Sequence, residues 1–82
     1  MGTRAYNRRI INKSVIQAIL FNRSWWNEHD ARLWILKHSF NPIKIAISDN
    51  FIHYRLREPS EFSRIRTITT TRGIEIRIGF YI

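Results

Sequence analysis

The hydropathy pattern changes period once along this chain, and that change constrains its fold more than any other feature. After Pro42, Ile43, Ile45 and Ile47 alternate with Lys44, Ala46 and Ser48. Ser48-Asp49-Asn50 supplies turn residues, and then Ile52, Tyr54 and Leu56 alternate with His53, Arg55 and Arg57. A period of two is that of a strand with one apolar and one polar face, so this stretch reads as a β-hairpin. Glu58-Pro59-Ser60-Glu61 interrupts the pattern. Arg64 to Thr71 is again β-rich, Arg72-Gly73 is a turn, and Ile74, Ile76, Ile78 and Phe80 alternate with Glu75, Arg77, Gly79 and Tyr81. A second hairpin follows.

Before Pro42 the period is different. Asn27 is a good helix N-cap with Asp30 three residues on, and Glu28 and Asp30 suit the positive end of a helix dipole. Ala31, Trp34, Ile35 and His38 then recur on one helical face, and Asn41-Pro42 ends the helix. Upstream, Val15 to Phe21 is a short apolar run rich in β-branched residues, read as a buried strand. Residues 1–12 show no periodicity and read as a flexible basic arm ahead of a single domain, 13–82. The expected fold class is α+β: arm, strand, helix, then four strands, with one helix packed on a mainly antiparallel sheet. At 82 residues there is material for one core only. The eleven aromatic residues make that core attainable, since each buries on the order of 150–250 Å².

Charge points to function. Fourteen Lys and Arg face six Asp and Glu, for a net charge of +8. Residues 1–27 hold five of those bases (Arg4, Arg8, Arg9, Lys13 and Arg23) and no acid. A basic arm ahead of a milder domain suits a polyanion, because each neutralised phosphate releases counterions. Eleven of the fourteen bases are arginine, whose planar fork matches phosphate and carboxylate. A solvated basic surface that only maintains solubility has the same composition. The residues expected to contact nucleic acid are Arg4, Arg8, Arg9 and Lys13 on the arm side, and Arg55, Arg57, Arg66 and Arg77 on the sheet face away from the helix. His53 and Tyr81, interleaved with them, offer rings on which bases could stack. The alternative for the sheet is an ordinary solvated face with Glu75 pairing its arginines.

Catalytic chemistry is poorly represented. Cysteine is absent, which removes disulfides, thiolate zinc sites and a thiol nucleophile. His29, His38 and His53 lack metal-ligand spacing, and no HExxH, GxGxxG or GxxxxGK[ST] motif occurs. The expectation is a non-enzymatic protein with no cofactor and no metal. No apolar run approaches the roughly 20 residues of a membrane span, and the N-terminus lacks the apolar stretch of a secretory signal. A soluble intracellular protein with no membrane partner is expected.

From Phe21 to Gly79 the chain resembles a family of small domains from large double-stranded DNA viruses and tailed phages, most of them without an assigned function. The residues that carry this are Ala31, Trp34, Ile35, His38 and Phe40, then Tyr54-Arg55 with Pro59, then Arg66-Thr67, and Gly73-Ile74 with Gly79. They follow a pattern AxxWLxxHGF, YRxxxP, FRT and GIxxxxG. Ser39 stands where the pattern has glycine, and Ile65 where it has phenylalanine. The resemblance implies a viral origin and location in the host cytoplasm or nucleus, or in the virion. It adds a second functional expectation, a minor virion structural protein that cements capsid proteins or lines the shell. An oligomer is compatible with either role.

Overall fold

The first strand is apolar on both faces, and this fixes the architecture. In the computed structural model, which describes residues 13–81, β1 (Ser14–Asn22) buries Ile19 and Phe21 on one side and Ala18 and Leu20 on the other. A strand that must hide both faces belongs at the centre of a sheet. The chain continues through α1 (Glu28–Lys37), β2 (Lys44–Ile47), β3 (Phe51–Arg55), a 3₁₀ turn (Pro59–Glu61), β4 (Arg64–Thr69) and β5 (Ile74–Phe80). The strand order is β2-β3-β1-β5-β4, and every neighbouring pair is antiparallel. Each expected hairpin forms, and the two flank β1 on opposite sides. The α+β expectation holds.

Gln17 breaks the register between β1 and β5. It is almost fully buried, and its Nε2 donates to the Arg57 carbonyl at 2.9 Å. The Gln17 carbonyl in turn accepts from the amides of Leu56 and Arg57 at 2.8 and 3.2 Å. The bulge thus holds the segment that leaves β3 and ends that strand at Arg55.

The helix begins as its sequence dictates, with the Asn27 side chain accepting from the Asp30 amide at 2.7 Å. Its entry is tied to the β4–β5 turn, because Trp26 Nε1 donates to the Arg72 carbonyl at 2.8 Å. Gly73 in that turn has φ 71°, and a Cβ there would stand 2.8 Å from Trp25 Cγ. Ala31 and Ile35 are the helix residues that reach the sheet and become fully buried. Trp34 and His38, expected on the same stripe, lie on its flank. Trp34 is partly buried and His38 exposed, their rings stacked 3.8 Å apart. Phe21 is the centre of the core and meets Trp26, Trp34 and Tyr54 edge-on at 5.1, 5.5 and 5.6 Å. Each such contact adds about 0.5–1.5 kcal/mol beyond area burial.

Candidate nucleic-acid interface

Among the described residues no helix or strand covers the sheet face opposite α1, and the strand registers determine what that face displays. His53 lies opposite Leu20 on β1 and Ala46 on β2, while Arg55 lies opposite Ala18 and Lys44. On the other side of β1, Arg77 lies opposite Ala18 and Thr67. Side chains of directly paired residues share a face, so Lys44, His53, Arg55, Thr67 and Arg77 all project from this one, as does Glu75 opposite Leu20. Twist makes the face concave, and a groove of about 460 Å³ forms across it, lined by residues from all five strands. Gln17 is the β1 residue that lines it, while Ala18 and Leu20 are buried on the same sheet. Pro59, from the 3₁₀ turn, forms part of its lining.

The groove is cationic. Arg55 has one long, half-exposed ion pair, with Glu58 at 3.5 Å, and a pair of that kind contributes little. Among the described residues, Lys44 and Arg77 form no ion pair. Arg55 and Arg77 flank Ala18, and His53 lies in the adjacent row beside Leu20, with its Nε2 3.2 Å from Ser48 Oγ. Partial burial holds its pKa below the ordinary value of 6.5, and the charges of Arg77 and Arg55 push it the same way. Phe51 sits edge-on to His53 with ring centres 6.2 Å apart.

The structure brings together only some of the residues expected from the sequence. Arg55 and Arg77 meet in the groove. Arg66 does not, because it pairs with Ile78, an inward residue of β5, and therefore projects on the helix side. Arg64 shares that side, with its guanidinium 4.8 Å from the centre of the Phe80 ring. Arg57 falls beyond the end of β3, contacts Glu61 at 3.6 Å and does not line the groove. Lys13 lies just ahead of β1 with Nζ 5.7 Å from the Tyr81 ring centre, and Tyr81 packs against Phe62 at 4.9 Å. Tyr81 is therefore engaged at the sheet's end and is not a free stacking platform. Arg4, Arg8 and Arg9, with the rest of the arm, lie outside the described residues. Glu75 forms no ion pair with the sheet arginines among the described residues. Lys44 was not anticipated, although its alternation with Ile43 and Ile45 carried the signal.

The residues of the viral-type pattern have structural work instead. Trp34 and His38 stack, Ser39 adopts φ 61° at the helix end, and Gly73 makes the β4–β5 turn. Gly79 lies under Phe62, whose ring atoms would be 2.5 Å from an added Cβ. No family model, curated protein or solved structure matches the chain. Among the described residues, no three His, Asp or Glu side chains converge as metal ligands, and no helix is long and apolar enough to cross a membrane. A second surface is apolar: Trp25, Leu33 and Leu36 are 68%, 50% and 60% exposed, and a shallow hollow of about 580 Å³ lies against the last two with Trp26 and Trp34.

Proposed function

We propose that this chain binds nucleic acid, without catalysis, by laying a phosphate backbone along the concave open face of its sheet. The observation that carries this reading is that Lys44, Arg55 and Arg77 line one groove with His53, and that among the described residues only Arg55 of these bases has an acidic partner, Glu58. Like charges held in one groove repel one another, and a polyanion relieves that repulsion. His53 and Phe51 present ring surface on the same face for bases. The arm bases Arg4, Arg8 and Arg9, with Lys13, take the sequence-independent part of the binding.

Fluorescence anisotropy of a labelled single-stranded oligonucleotide across a salt series tests the reading. Each phosphate contact contributes a log–log slope of about 0.7, so Lys44→Ala with Arg77→Ala should make the dependence shallower by about 1.4. Arg66→Ala, on the opposite face, should leave the slope unchanged. No binding at low salt, or equal effects of the two variants, sinks the proposal.

The exposed Trp25, Leu33 and Leu36 favour a second reading, a minor virion protein that packs this apolar surface against capsid subunits. Its test is the presence of the protein in purified particles, together with exclusion of a Leu33→Asp, Leu36→Asp variant from them.

A further inference from the structure

The two edges of the sheet are unlike. On β4, Arg64 and Arg66 interrupt the apolar pattern, and charged residues on an edge discourage further pairing. β2 is exposed throughout, as β4 is, but it carries the single charge of Lys44, and its Ile45 and Ile47 are 55% and 48% exposed. The core under α1 is built from β1, β3 and β5, so the helix stops short of this edge. The Ser48 amide donates to the Phe51 carbonyl at 2.9 Å, closing the β2–β3 hairpin. Antiparallel alternation then points the amides and carbonyls of Ile45 and Ile47 away from β3, where no strand pairs with them among the described residues.

We infer that β2 pairs antiparallel with β2 of a second copy of this chain, on a twofold axis at Ile45, to give one ten-stranded sheet. A second copy satisfies three requirements of this edge at once. Ile45 meets Ile45 on the axis with Ile47 flanking it, so the exposed apolar part of the edge is covered by its own equivalent. Ile45 on each strand is of the outward-bonding kind, so the two exchange both backbone hydrogen bonds. Lys44 falls opposite Ala46, which leaves the two Lys44 side chains diagonal to each other and not directly opposed. Lys44 also lines the groove, so the pairing sets two grooves side by side across the axis. The inference stands on the edge alone and does not depend on nucleic-acid binding. A contact of one short strand is well under the roughly 1,200 Å² of a tight complex, so the dimer dissociates on dilution.

Sedimentation equilibrium of the full chain without nucleic acid, across the micromolar range, should show a reversible monomer–dimer equilibrium. Ile45→Lys places like charges on the axis and should give a monomer, with unchanged circular dichroism because Ile45 is more than half exposed. The chain has no cysteine of its own, so Ile45→Cys is a clean reporter. Hydrogen-bonded antiparallel partners lie about 5.5 Å apart at Cα, within disulfide reach. Ile45→Cys should cross-link on mild oxidation much faster than Ile68→Cys on the other edge. A wild-type monomer at all concentrations overturns the proposal, as does an Ile45→Lys dimer or equal cross-linking of the two cysteine variants.

Discussion

Ser39 holds a φ of 61° directly after α1, a conformation that clashes with a side chain and that glycine adopts freely. The surrounding hydrogen bonds leave it no choice. The Phe40 amide donates to the Ile35 carbonyl at 3.1 Å and the Ser39 amide to the Leu36 carbonyl at 3.0 Å, the paired bonds of a Schellman helix end. Phe40 then stacks over Trp34 with ring centres 6.2 Å apart, locking the reversal. Ser39 is itself exposed, so replacing it removes little packing. A left-handed L-residue costs about 1–2 kcal/mol, while glycine gives back about 0.5–1 kcal/mol through its freer unfolded chain. Ser39→Gly should therefore stabilise the domain by about 0.5–1 kcal/mol. At about 4–8 °C per kcal/mol for a domain of this size, the melting temperature should rise by about 2–8 °C. Ser39→Val should lower it, because a branched Cβ fits the left-handed region worst. Thermal melts followed by circular dichroism decide the matter. An unchanged or lower midpoint for Ser39→Gly would refute the assignment of strain to this position.

Gly79→Ala should destabilise by about 1–3 kcal/mol, since the new methyl group would meet the Phe62 ring at 2.5 Å. In urea titrations, most of that loss should disappear when Phe62→Ala is already present. His53 has a folded pKa below 6.5, so the unfolded chain takes up its proton first as the pH falls. Its contribution is complete above the unfolded value and is lost as the pH drops through 6.5 toward the folded one. His53→Gln should therefore flatten the fall in melting temperature between about pH 7 and pH 5.

The elements were legible because the isoleucines announce their own period. Ile74, Ile76 and Ile78 could only be one face of a strand, and Asn27 with Asp30 could only open a helix in that context. The strand order was not legible. Alternation says which side chains share a face, and it is silent on which strand lies alongside. The same limit explains Arg66. β4 carries Ile65 on the open face and Ile68 on the helix face, so as an edge strand it has no single apolar side to orient it. Arg57 was misplaced for a different reason. Its spacing from Arg55 extends the alternation, but the Gln17 carbonyl takes the amides of Leu56 and Arg57 and the strand stops. The bulge that produces this is a long-range event, and nothing local in the sequence marks it.

The division of labour between the two sheet faces follows from β1. Its Ile19 and Phe21 are sealed by a helix, so that face can be built from aromatic contacts whose geometry is fixed. Its Ala18 and Leu20 are buried with no helix above them among the described residues, and the neighbouring long side chains on that face include Lys44, His53, Arg55 and Arg77. Long cationic side chains shield apolar surface with their stems while their charged ends stay in water. Hydrophobic burial thus draws together charges that electrostatics alone would disperse. The pKa of His53 is lowered by its partial burial first and by the charges of Arg77 and Arg55 second, so a further positive charge is resisted there. An anion in the groove reverses the sign of the local field and favours the imidazolium. Phosphate binding on this face should therefore be coupled to proton uptake by His53, and affinity should strengthen as the pH falls toward 6.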